Sequence, residues 1–120
     1  MMAGKILIID DDPRNIFALS AVLRSRSFAC VSCSSAEEAI RMLRADDLPD
    51  AVLIDMMMPD IDGYHAIPMI REIPGREHLK IIAVTAQAMT GDRQKCIAAG
   101  ADDYIAKPVN IDRLLELLKP

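Results

Sequence analysis

The sequence predicts an α/β domain: a doubly wound, five-stranded parallel sheet with helices on both faces. Three observations carry the prediction. Short continuous apolar runs at residues 5–9, Ala51–Asp55 and Lys80–Thr85 read as strands buried on both faces. Segments with apolar residues at helical spacing separate them, and strand–helix alternation belongs to parallel sheets. Finally, each of these runs ends in, or leads directly into, a carboxylate or hydroxyl. The carboxyl edge of an open α/β sheet is where ligands bind.

Taken in order, the first strand (5–9) runs into Asp10, Asp11 and Asp12. Asp12 followed by Pro13 predicts an N-cap with proline at the first helical position. Residues 14–26 carry Ile16, Leu19 and Leu23 at helical spacing and form helix one. Residues 29–32 are a short strand. Ser35 and Glu38 form a capping box, and Ala36, Ala39, Ile40 and Leu43 then mark the inner face of helix two. A polar loop with Pro49 leads to the strand ending at Asp55. The segment from Met56 to Gly63, with Pro59, cannot continue that strand. Residues 64–73 read as helix three, with Ile67, Ile70 and Ile73 on one side. Pro68 lacks a donor and crowds the preceding turn, so it predicts a shifted start or a kink. The strand Lys80–Thr85 follows, then a helix over 90–99 stopped by Gly100. Asp103–Ala106 is strand five, ended by Lys107 and Pro108. Asn110 caps a last helix with Ile111, Leu114, Leu115 and Leu118 inward.

Composition narrows the function. The chain has 120 residues, read as one domain over 1–120, and is 52% apolar but only 3% aromatic. A net charge of −4 excludes a generally basic nucleic-acid binder. No apolar run approaches the roughly 20 residues of a membrane span, and no secretory signal opens the chain, so it is read as soluble and cytoplasmic. Three cysteines, an odd number, argue against a disulfide framework. Cys30 and Cys33 form a C-x-x-C, but no second pair completes a metal site, and they are read as reduced thiols around a strand.

The strand ends hold the chemistry. If strands one and three are neighbours at the reversal of strand order, Asp10, Asp11 and Asp55 share one crevice, joined by Thr85 and Lys107 from the next strands. Clustered carboxylates do not all stay ionised unless one takes a proton or a cation binds. Mg²⁺ prefers oxygen ligands, typically one or two carboxylates with waters and a phosphate. One divalent cation and the Lys107 ammonium balance the carboxylates. They leave a place for a phosphoryl group that Asp55 attacks as nucleophile, with Thr85 donating to an equatorial oxygen.

With these motifs in place, the sequence closely resembles the receiver domain of two-component response regulators. The resemblance runs nearly end to end, through Ile6 to Pro13, Leu53 to Pro59 with Asp62 and Gly63, Ala83 to Ala86, Gly100 to Tyr104, and Lys107 with Pro108. It implies a flavodoxin-like (βα)5 fold with strand order 2-1-3-4-5. It implies Asp55 as phosphoacceptor, and Mg²⁺ held by Asp11 directly, by Asp10 mainly through water, by Asp55 and by the backbone carbonyl of Met57. Thr85 and Lys107 match the phosphate-contacting residues, and Tyr104 the aromatic switch position. The Lys107–Pro108 bond is usually cis in the family. Met57 and Gln87 match the positions that flank the attacking water and tune dephosphorylation. Neither offers a carboxylate to orient that water, which predicts a long-lived phosphoryl group.

The resemblance further implies that the chain takes a phosphoryl group from a histidine kinase or histidine phosphotransfer domain. The surface of helix four, strand five and helix five would then switch, and the docking surface would involve helix one near Ile16, Phe17 and Ser20. Segments 14–19 and 91–96 look like receivers of hybrid sensor kinases. The chain is therefore read as a stand-alone receiver or one excised from a hybrid kinase, with an adjoining kinase or output domain. It is read as a monomer or weak phosphorylation-linked dimer, and not as an enzyme beyond its own phosphorylation and dephosphorylation. Three rivals remain. An Mg²⁺-dependent phosphatase with an Asp nucleophile would place D-x-D and a nearby Thr after strand one. A receiver-like interaction module would never be phosphorylated. A flavin binder would need a hydroxyl-rich phosphate cradle after strand one.

Overall fold

The computed structural model describes residues 4–45, 48–86 and 91–119. Strands and helices alternate throughout: β1 (Gly4–Ile9), α1 (Pro13–Ser25), β2 (Phe28–Cys33), α2 (Ala36–Arg44), β3 (Ala51–Asp55), α3 (Gly63–Arg71), β4 (Lys80–Thr85), α4 (Asp92–Ala99), β5 (Asp103–Ala106) and α5 (Ile111–Leu117). The five strands are parallel and lie in the order β2-β1-β3-β4-β5, which is the predicted fold and order.

Side-chain alternation along each strand divides the core into two layers. Leu7, Ile9, Val52, Ile54, Ile81 and Ala83 pack under α2, α3 and α4. Ile6, Ile8, Leu53, Ile82, Val84 and Ile105 pack under α1 and α5. Cys33 belongs to the first layer, whereas Cys30 packs against the second. The C-x-x-C thiols therefore point to opposite faces. Burial raises both, Cys33 to about 11, which keeps it a thiol.

Local chemistry sets the element ends. Asp12 caps α1 by accepting from Arg14 N–H at 2.9 Å, with Pro13 behind it. The Ser35 hydroxyl accepts from Glu38 N–H at 3.2 Å, but the Glu38 carboxylate reaches back to Ser34 N–H at 3.4 Å rather than to Ser35. Asn110 caps α5 through Arg113 N–H at 3.0 Å. Gly100 ends α4 at φ 116°, a left-handed conformation that glycine adopts without penalty.

Several boundaries differ from expectation by a residue or two: β1 starts at Gly4, α1 spans Pro13–Ser25 and α3 ends at Arg71. β2 is longer at both ends than residues 29–32. The start predicted for α4 at Thr90 lies outside the described residues; within them the helix begins at Asp92, after Gly91. α3 starts at Gly63, capped by Asp62, and carries Pro68 in its second turn. The start shifts by only one residue and the helix continues through the proline. Burial of Ile67 and Ile70 outweighs the lost backbone bond.

Because helices run antiparallel to the strands, helix C-termini gather on the edge where strands begin. Basic side chains close three of those helix ends. Arg76 donates to Leu43 O at 2.9 Å and Ala45 O at 3.0 Å, after α2. Arg71 donates to Gly100 O at 2.7 Å, after α4. Lys80 donates to Leu117 O at 2.9 Å and Lys119 O at 2.6 Å, after α5.

Candidate functional site

The register pairs Ile9 with Ile54, so the next residues, Asp10 and Asp55, stand side by side beyond the sheet. Both residues are buried, at 2% and 5% exposure, whereas Asp11 is exposed at the rim. Asp10, Asp11 and Asp55 each offer a carboxylate oxygen, and these lie within 4.8 Å of one another. Such an oxygen-only set suits a hard divalent cation and has no soft ligand for zinc or copper. The site residues therefore fit Mg²⁺.

Backbone donors fix the two buried carboxylates. Asp55 Oδ1 accepts from Met57 N–H at 3.0 Å, and Asp10 Oδ1 accepts from Asp12 N–H at 2.9 Å. Lys107 reaches in from the end of β5, its Nζ 3.4 Å from Asp55 Oδ2 and 3.9 Å from Asp10 Oδ2. It is placed there because Lys107 N–H donates to Thr85 O at 2.7 Å, which ties the end of β5 to the end of β4. The Lys107–Pro108 bond is cis. Burial pushes the Asp10 carboxyl above its ordinary range, and the charges of Asp55 and Asp11 add to the rise. The Asp12 N–H and Lys107 pull the other way.

Gly63 holds the loop after β3 against the helix that follows. A Cβ at this position would sit 2.4 Å from Met56 Sδ and 2.8 Å from Met56 Cα. Only glycine allows α3 to start this close to the residue after Asp55. Met57 lies on the outside of that loop with its side chain 57% exposed, next to the carboxylate its N–H holds.

Strand alternation turns Thr85 away from Asp55. Thr85 shares the parity of Ile81 and Ala83, on the α2–α3–α4 face, and is 1% exposed. Its hydroxyl donates to Asp92 Oδ2 at 3.1 Å. Asp92 is itself buried, and its Oδ1 accepts from the Tyr64 phenol at 3.1 Å. Tyr104 lies half-buried on the same face. Of the residues expected at the site, Asp10, Asp11, Asp55 and Lys107 lie together, and Thr85 ends β4 at the same edge. Sequence reasoning missed Asp92 and Tyr64, since an acidic residue in a helix's first turn looks the same in sequence whether solvated or buried. Gln87 lies outside the described residues.

A groove of about 520 Å³ opens from this site between α1 and the segment leading into α5. Lys107 and Asp10 stand at one end, and Ala18, Val22, Pro108 and Val109 line the rest. Phe17, on the same helix, projects with 77% of its surface exposed.

The comparisons with known proteins agree with this geometry. The sequence model of the family described as "Response regulator receiver domain" matches residues 6–119. The signal transduction histidine-protein kinase BarA of Escherichia coli (strain K12) is 37% identical over 118 residues. The match takes in 98% of this chain but 13% of that protein. The chain thus spans a small fraction of the length of that curated relative. Among solved structures, the receiver domain of the sensor histidine kinase PA1611 from Pseudomonas aeruginosa superposes with a TM-score of 0.87 at 36% identity, covering 96% of this chain and 93% of that one. That structure holds a magnesium ion coordinated in its active-site cleft. The chemotaxis response regulator CheY4 of Vibrio cholerae superposes with a TM-score of 0.88 over 98% of this chain and 97% of that one; at 23% identity it speaks for the fold alone. Matched over nearly its whole length and built on the same sheet, the chain belongs to the response regulator receiver domain family of two-component signalling.

Proposed function

We propose that Asp55 accepts a phosphoryl group from a phosphohistidine on a histidine kinase or histidine phosphotransfer domain, in a step that needs Mg²⁺. The observation that carries this reading is the pairing of a buried Asp55 with the Lys107 ammonium at 3.4 Å, beside Asp10 and Asp11. A carboxylate oxygen of Asp55 attacks phosphorus in line with the P–N bond. A P–O bond forms and the P–N bond breaks, its electron pair staying on the imidazole, which takes a proton from solvent. Lys107 stabilises charge on the equatorial oxygens, and the Met57 and Asp12 N–H groups hold the carboxylates in place. Asp10, Asp11, Asp55 and the Met57 carbonyl would hold Mg²⁺. When bound, the ion neutralises charge on the transferring group. Beyond this self-directed chemistry the protein is not an enzyme; it works in the cytoplasm, where its donors' kinase domains act.

The donor is a helix-bearing protein. The apolar groove beside α1 suits an amphipathic helix, and it leads to Lys107 and Asp10, where a phosphohistidine would meet Asp55. After transfer, the aspartyl phosphate adds charge and acceptor oxygens. Thr85 swings to donate to it, Tyr104 turns inward, and the α4–β5–α5 surface changes.

The test is intact mass after incubation with Mg²⁺ and acetyl phosphate, with Asp55→Asn in parallel. The expected result is one added phosphoryl group that requires Mg²⁺ and disappears in the variant. A folded wild-type protein that gains nothing would instead be a receiver-like interaction module.

A further inference from the structure

We infer that Asp92 is a positioning residue that holds Thr85 in its resting position and passes the phosphorylation state to the first turn of α4. This rests on the reading of Asp55 as phosphoacceptor. Three elements meet at the Asp92 carboxylate. β4 supplies the Thr85 hydroxyl to Oδ2 at 3.1 Å, and α3 supplies the Tyr64 phenol to Oδ1 at 3.1 Å, while Asp92 itself opens α4. Asp92 is only 6% exposed. A first-turn carboxylate serving only the helix dipole has no need to leave water, and a buried one is costly unless donors meet it. Burial and the bond to Asp92 push the Tyr64 phenol well above its usual range, so it remains a donor.

The Thr85 hydroxyl carries a single proton. It cannot donate to Asp92 and to a phosphoryl oxygen on Asp55 at once. Every transfer that recruits Thr85 therefore strips Asp92 Oδ2 of its β4 donor, while Oδ1 keeps its bond to α3. The carboxylate must find another partner for Oδ2, and the first turn of α4 is the part free to adjust. The device is a competition for one proton, distinct from the inward turn of Tyr104. A hydrogen bond to a carboxylate biases the two Thr85 positions by about tenfold.

The experiment follows phosphorylation by acetyl phosphate with Mg²⁺ as an intact-mass time course. Asp92→Ala is made in three backgrounds: Thr85, Thr85→Ser and Thr85→Ala. Freed from Asp92, the hydroxyl reaches the phosphoryl group more often, so the rate should rise about tenfold with Thr or Ser at position 85 and by less than about twofold with Ala. A merely structural role for Asp92 would act alike in all three backgrounds, and that result would overturn the inference, as would a slower or unchanged rate with Thr85 intact. Asp92→Asn guards against misfolding. It keeps the side-chain volume but is neutral and replaces one acceptor oxygen with an amide donor, so it holds the Thr85 hydroxyl more weakly and should act in the same direction by a smaller factor. Failure of the wild type to gain a phosphoryl group would overturn the receiver reading itself; a phosphorylated wild type with background-independent Asp92 effects overturns only the positioning role.

Discussion

Lys107 faces two carboxylates at once, at 3.4 Å from Asp55 and 3.9 Å from Asp10. Replacing it with alanine should slow phosphorylation by acetyl phosphate about a hundredfold, the usual cost of losing one preorganised charge donor, while circular dichroism stays unchanged. Asp10 has the opposite relation to stability. Its folded-state carboxyl is raised above the ordinary 3.8, so the folded protein binds a proton more readily than the unfolded chain. The buried charge therefore weighs against folding above the raised value. That penalty fades as pH falls through it and is gone below 3.8. Asp10→Asn should accordingly raise the thermal midpoint of the metal-free protein at neutral pH, by a margin that narrows in mild acid. Mg²⁺ should reverse the order. At a hundred times its dissociation constant it adds about 2.7 kcal/mol to the wild type and less to the variant, and adding a chelator should restore the original ranking. At Met57 the exposed thioether offers no carboxylate to orient water near Asp55, so the phosphoryl group should survive for minutes or longer. Decay within seconds in the presence of Mg²⁺ would refute that expectation.

α2 and α5 are held at both ends by side chains that can be removed one at a time. Ser35→Ala should cost about 1 kcal/mol through the lost cap of α2. Arg71 does more: it joins the end of α4 to the start of β4 by donating to the carbonyls of Gly100, Glu77 and Leu79 and pairing with Asp102 at 3.0 Å. Arg71→Ala leaves carbonyls without donors and should cost about 2 kcal/mol or more in urea denaturation, with phosphorylation retained. The caps at Asp12, Ser35 and Asn110 and the stop at Gly100 were legible because they depend on residues two to four apart. The buried face of α2 was legible for the same reason: Ala36, Ala39, Ile40 and Leu43 are all buried. α5 was harder. Of the four residues predicted inward only Leu114 is fully buried, since the helix lies beside the edge strand β5, and edge position is not encoded in periodicity. Pro68 followed a local rule that packing of α3 overrode. The Thr85–Asp92–Tyr64 chain had no local signal at all, because it joins residues up to 28 apart.

Across the whole molecule, the two edges of the sheet have separate duties. The carboxyl edge carries the carboxylates, Lys107 and the mouth of the α1 groove; the opposite edge carries the basic helix caps. Phe17→Ala should therefore weaken transfer from a phosphohistidine partner by roughly tenfold, as expected for an exposed aromatic anchor, without changing the rate with acetyl phosphate. A parallel comparison of the two donors would check this. The same division fixes where the described chain begins and ends. Residue 4 begins β1, tied through the Lys5 and Asp50 backbones at 2.8 Å, and residue 119 follows α5 under the Lys80 ammonium. Both points lie behind the reactive edge. A tether attached experimentally at either point would pull from the rear and leave clear the face that must meet a partner.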